Sequence, residues 1–129
     1  MSWTKKPTTF ARTVVADHRA TCMRAGLEIL SRVVLATPVE TGRARGNWQT
    51  TLNVPATGEI DRLDPDGSEA IGDGSGVINR APDFPLIHIA NNLPYIGALN
   101  YGKPPGRQHS KKSPLLFVEL AAQGVMDEL

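Results

Sequence analysis

Thr37-Pro38-Val39-Glu40-Thr41-Gly42-Arg43-Ala44-Arg45-Gly46-Asn47-Trp48 is where one periodicity gives way to another. Pro38 disfavours helical geometry at Thr37, so a helix arriving from the N-terminal side must stop there. Thr41-Gly42 suits a tight reversal, because glycine reaches positive φ without steric cost. Beyond Arg45 the residues alternate, with Trp48, Thr50, Leu52 and Val54 on one side, which predicts a half-buried strand over 47–54. The switch from helix to strand predicts a small α+β domain.

Upstream of this junction, Ala16, Ala20, Met23, Leu27, Leu30 and Val34 recur at spacings of four and three, and Ile29 and Val33 widen the stripe. This predicts one long N-terminal helix from Thr9 to about Ala36. Glu28 lies one turn from both Arg24 and Arg32 on the polar face, where such pairs contribute only about 0.3 kcal/mol each. Gly26 interrupts the pattern at a cost of roughly 1 kcal/mol relative to alanine, so close approach of another element is one reading and simple tolerance the other. Residues 1–8 are expected to be a flexible segment. Their basic start is not followed by an apolar signal-type stretch, and the longest aliphatic run nearby is Val33 to Ala36, so neither export by that route nor a membrane partner is expected.

Downstream, residues 55–85 are rich in Gly, Pro and Asp and predict a long mobile loop. A weak helical tendency over 68–79 is opposed by Gly72, Gly74 and Gly76. Leu86 to Asn91 predicts a second strand, followed by a turn-rich segment to Gly102 and a basic loop over 103–112. Ser113 as N-cap and Pro114 as first helical residue predict a C-terminal helix with Leu116, Leu120 and Val125 on one side. The expected whole is a single α+β domain over 9–129: long helix, small sheet with a long inter-strand loop, and C-terminal helix.

The 129 residues fit one modest core, and with aromatics at 5% that core must be mainly aliphatic. Cys22 is the single cysteine, so no internal disulfide forms, and cytosolic synthesis is the simple expectation. The net charge of +1 hides a segregation: residues 1–50 hold eight Lys/Arg against three Asp/Glu, and residues 51–102 hold two against seven. Opposite charge on different parts of one subunit suits a head-to-tail contact between copies. Chance segregation of solvated charge is the competing reading.

Sites of chemistry are scarce. His18, His88 and His109 have no His, Cys or carboxylate partner at metal-site spacing. Asp64-Pro65-Asp66-Gly67-Ser68-Glu69 resembles a calcium loop briefly, but Glu69 stands where the sharp-turn glycine belongs and Ser75 where the bidentate glutamate belongs. Gly72-Asp73-Gly74-Ser75-Gly76 lacks the Lys-Ser/Thr of a phosphate loop, and no Gly-x-Ser-x-Gly elbow occurs. No catalytic residue, metal or cofactor is expected, and the chain reads as a non-enzyme. Lys103, Arg107, Lys111 and Lys112 can touch phosphates without reading sequence.

Two segments together resemble a known family. Thr37 to Trp48, quoted above, is one; the other is Ile87-His88-Ile89-Ala90-Asn91-Asn92-Leu93-Pro94-Tyr95-Ile96-Gly97-Ala98-Leu99-Asn100-Tyr101-Gly102. Their order and separation resemble the small neck or tail-completion (head-tail joining) proteins of long-tailed double-stranded-DNA bacteriophages. The chain differs from the common family pattern in having Asn100 where a glutamate is frequent before Tyr-Gly, and a basic loop where a Ser/Gln/Ala/Pro-rich stretch is frequent.

The resemblance implies a structural virion protein, made in the cytoplasm of the bacterial host and placed in the neck or upper tail. It would form an oligomeric ring that completes the tail for head-tail attachment and lets DNA pass. Expected partners are further copies of the chain, the tail terminator or tail tube, and head-closure or portal-adaptor proteins. Expected contact residues are Thr41, Gly42, Arg43, Arg45, Asn91, Asn92, Pro94, Tyr95, Asn100, Tyr101 and Gly102. Lys103, Arg107, Lys111 and Lys112 are the expected channel or partner contacts, including transient non-specific contact with phage DNA.

The residues themselves allow parallel readings. Tyr95 and Tyr101 have apolar rings with polar tips, which suits either an interface or the edge of a core. Asn91 and Asn92 can bond their own backbone, and Pro94 stiffens the chain before Tyr95. The alternative function is a non-specific nucleic-acid-binding module using the basic N-terminal third and the 103–112 loop.

Overall fold

The computed structural model describes residues 7–39, 41–102, 106 and 116–129. The chain is α+β, with α1 (Pro7–Ala36), α2 (Arg43–Gly46), β1 (Trp48–Leu52), α3 (Ser68–Ile78), β2 (Ile87–Asn91), α4 (Ile96–Tyr101) and α5 (Phe117–Glu128). The two strands pair antiparallel, with Trp48 opposite Asn91, Thr50 opposite Ile89 and Leu52 opposite Ile87. Because side chains alternate across a strand, Trp48, Thr50, Leu52, Ile87 and Ile89 share the face that meets the helices. His88, opposite Thr51, takes the other face.

The core gathers Leu30, Val33 and Val34 of α1, Trp48 of β1, Ala70 and Ile78 of α3, and Phe117 of α5. Burying a side chain of this size contributes roughly 1.5–3 kcal/mol. Helix α1 therefore serves as the spine, with α3 and α5 both packed against it and α3 also against β1. Its contact with this core is confined to its C-terminal half. Met23, Leu27 and Leu30 turn inward as predicted, whereas Ala16 and Ala20 are exposed. The 30-residue helix is roughly 45 Å long, and its first half extends past the core. Gly26 lies under Ile87 and Ile78, where an added Cβ would come within 3.2 Å of Ile87 Cδ1, so close approach explains this glycine.

Helix α3 corrects the expectation of a mobile loop over 55–85. Gly67 adopts φ +76° before it, and the buried Asp64 carboxylate accepts from the Ala70 N–H at 2.9 Å, satisfying a first-turn donor that has no intrahelical partner. Ala70, Gly74 and Ile78 face inward. Gly74 opposed a helix on propensity, yet an added Cβ there would lie 2.6 Å from Thr50 Oγ1 and overlap Leu30 Cδ2. Packing thus requires the residue that propensity disfavours. Tertiary contact also supplies what a short glycine-rich helix lacks by itself.

Smaller corrections follow. The helix is already formed at Pro7 and Thr8, which were expected to be flexible. Val54 lies past the end of β1 and is exposed. In α5 the inward residues are Phe117 and Val125, with Val118 and Ala121 beside them, while Leu116 and Leu120 point outward. The predicted start of that helix at Ser113 and Pro114 lies outside the described residues, as do Lys103, Arg107, Lys111 and Lys112 of the basic loop.

Candidate functional site

The first motif folds as a polar junction. The Thr37 hydroxyl, fully buried, donates to Val33 O at 2.7 Å and accepts from Trp48 Nε1 at 2.8 Å. Arg45 donates to Leu35 O and Thr37 O at 2.8–2.9 Å, capping carbonyls at the end of α1, and to Pro65 O at 2.8 Å, tying that end to the loop before α3. Gly42 is buried at φ +86°, and an added Cβ would lie 2.5 Å from Pro65 N. Asn47 is held by Arg43 O and Ile60 N, and Arg62 donates to Gly46 O and Trp48 O. Gly42 and Arg45 thus work inside the subunit. Thr41 and Arg43 face solvent, where Arg43 pairs with Glu59 at 3.1 Å.

The second motif divides in the same way. Asn91 donates to Ala44 O and accepts from Leu93 N, tying β2 back to α2. Asn92 is exposed and donates to Ala56 O and Gly58 O, pinning the loop after β1. Asn100 is buried at the α4–α5 corner. Its amide donates to both Glu119 oxygens at 2.8–3.0 Å, its Oδ1 accepts from Val118 N, and its backbone carbonyl accepts from Leu116 N at 2.6 Å. Gly102, also buried, closes α4 at φ +87°.

What this bracket presents outward is an apolar corner. Tyr101 is 51% exposed, Leu116 44% and Leu120 64%; Tyr95, at the other end of α4, is 43% exposed beside the exposed Pro94. Leu116 adopts φ +58°, a conformation that costs an L-residue about 1–2 kcal/mol. The bond from the Leu116 N–H to Asn100 O holds that conformation and leaves the leucine half-exposed.

Glu119 anchors the corner electrostatically. Burial pushes its carboxyl upward, but hydrogen bonds from Asn100, its own backbone N–H and Tyr101 together outweigh that, and the pKa falls below the ordinary 4.5. The carboxylate form is therefore the one the corner holds.

Sequence reasoning located Tyr95 and Tyr101 but assigned Leu116 and Leu120 to the inward side. A readable signal existed for the latter: Phe117, Ala121 and Val125 form a competing stripe of the same spacing one residue along. Among the described residues, no group of three or more His, Cys, Asp or Glu is placed to hold a metal ion. His18 contacts the Phe84 ring at 5.5 Å and its Nε2 lies 3.7 Å from Cys22 Sγ. No described helix is long and apolar enough to cross a membrane. In comparison with known proteins, the chain matches no family model, no curated protein and no solved structure.

Proposed function

We propose that this chain is a structural subunit of the neck or upper tail of a long-tailed double-stranded-DNA bacteriophage. Copies join into a ring that completes the tail for attachment to the head and leaves a passage for DNA. The ring's neighbours are the tail terminator or tail tube on one side and head-closure or portal-adaptor proteins on the other.

The observation that carries this reading is the α4–α5 corner. The second of the two family-like motifs ends in a buried Asn100 bracket whose effect is to hold Tyr101, Leu116 and Leu120 outward. Exposed apolar side chains grouped on a fixed frame suit protein contact. The first motif supplies the polar junction that fixes α1 to the sheet, consistent with a job based on shape.

The test is electron microscopy of lysates from a phage lacking this gene, counting intact virions, DNA-filled heads and free tails. Full heads separate from finished tails are expected. Normally joined virions would remove the neck assignment, and the next measurement would then be salt-dependent binding to duplex DNA, which a nucleic-acid-binding module requires.

A further inference from the structure

We infer that two copies of this chain pair through the outer edge of β2, in antiparallel register about a two-fold axis at Ile89. The pairing goes beyond the ring reading and does not rest on it.

The hydrogen-bond pattern of the sheet fixes which groups point outward. Asn53 N–H donates to Leu86 O at 2.8 Å, so the bonded positions of the ladder are 53 with 86, 51 with 88 and 49 with 90. The intervening residues, Ile87, Ile89 and Asn91 on β2 and Trp48, Thr50 and Leu52 on β1, turn their N–H and C=O away from the paired strand.

The two edges are treated differently. Beside β1, Trp48 O accepts from Arg62 at 3.2 Å and Leu52 O accepts from Val54 N at 2.8 Å. Asn47 holds Ile60 N and Gln49 holds Gly58 O, which ties residues 58–60 to the start of that strand. The outer edge of β2 has no such cover. Among the described residues nothing bonds to the outward N–H and C=O of Ile87, Ile89 and Asn91, and no described helix packs along β2 as α3 does along β1. Edge strands that stay single commonly carry a charge, a proline or a bulge. Leu86 to Asn92 has none of these, and Pro85 and Pro94 stand outside it. Alternating donors and acceptors at strand spacing are matched by another extended backbone.

A second copy fits this edge by symmetry. Because the outward residues are centred on Ile89, a two-fold axis there sets Ile89 against Ile89 and Ile87 against Asn91 of the second copy, and every outward group finds its complement. Continuing the sheet from β2 into β1 of another copy is disfavoured, since Arg62 and Val54 already occupy carbonyls on that edge. Apolar exposure agrees with the same axis. Phe84 and Leu86, 69% and 55% exposed, precede β2, and the exposed Pro94 and Tyr95 follow it. Antiparallel pairing brings the first two of one copy toward the last two of the other. No charged side chain between 84 and 95 opposes the approach.

The test begins with the unaltered full chain. At about 1 mM it should sediment as a dimer, and hydrogen exchange at the Ile87, Ile89 and Asn91 amides should be slower than at about 10 μM. The His88 and Ala90 amides, which point to β1, should be protected at both concentrations. Cross-linking in chains carrying Cys22→Ser then reads the register. Under mild oxidation His88→Cys chains should form disulfides with Ala90→Cys chains and neither with itself, because the axis sets positions 88 and 90 of two copies about 4.5 Å apart between Cα atoms. Leu86→Lys, at an exposed position, should weaken the dimer about tenfold with circular dichroism unchanged. A dimer whose three outward amides exchange as fast as in the dilute chain, or equal self-linking of either cysteine variant, overturns the pairing. A chain still monomeric at the higher concentration also overturns it and leaves the edge to an extended segment of a different protein.

Discussion

The Thr37 hydroxyl stands where α1 ends and β1 begins, giving its proton to Val33 O and receiving that of the Trp48 indole. Thr37→Val removes both bonds at once and strands a buried N–H, for an expected loss of about 1–3 kcal/mol by urea denaturation. Thr37→Ser should recover most of it. Leu116 behaves in the opposite sense. Replacing it by glycine relieves the left-handed strain and should stabilise the isolated subunit by about 0.5–1 kcal/mol, while lowering the yield of joined virions. A drop in both would place Leu116 in the core. Glu119 gives a pH signature. Its folded pKa is lowered, so its contribution is complete above 4.5 and is lost as pH falls through the folded value. Hydrogen exchange at the Val118 amide should accelerate in that window and be pH-insensitive, apart from intrinsic exchange, in Glu119→Gln.

Helix α3 shows how an element can be set by its surroundings. Its glycines look alike in sequence but stand in different environments: Gly74 is pressed against Leu30 and Thr50, while an added Cβ at Gly72 meets nothing within 4 Å. Gly74→Ala should therefore destabilise by about 1–3 kcal/mol through overpacking, and Gly72→Ala should stabilise by roughly 0.5–1 kcal/mol through helix propensity. Thermal unfolding of the two variants decides this, and the same sign for both would contradict the packing. Helices α1 and α5 were legible because their apolar spacing is strong, although in α5 two stripes one residue apart competed. The choice between them was made by α1 and the Asn100 bracket, which draw Phe117 inward.

For the whole molecule, the proposed ring turns on which exposed residues would meet other chains. The two family-like motifs mix residues of two kinds: Gly42, Arg45, Asn91, Asn100 and Gly102 are covered and engaged within the subunit, and Thr41, Arg43, Asn92, Pro94, Tyr95 and Tyr101 are exposed, Arg43 and Asn92 while also bonded within it. Tyr95→Ala should leave the subunit folded by circular dichroism and reduce its incorporation into virions. An unfolded variant would make Tyr95 a core residue.

The sequence by itself determined the order of α1, β1, β2 and α5, the C-terminal end of α1, and the charge segregation, because each follows from neighbours within a few residues. Proline at 38, glycine at 42 and the change of period at Trp48 act locally. Only the tertiary structure decided that 68–78 is a helix, that the first half of α1 is an arm beyond the core, and that Leu116 and Leu120 face outward. Those outcomes depend on contacts between residues far apart in the chain, such as Gly74 with Leu30 and Thr50 or Asn100 with Glu119, whose shape and hydrogen-bonding demands override local preference.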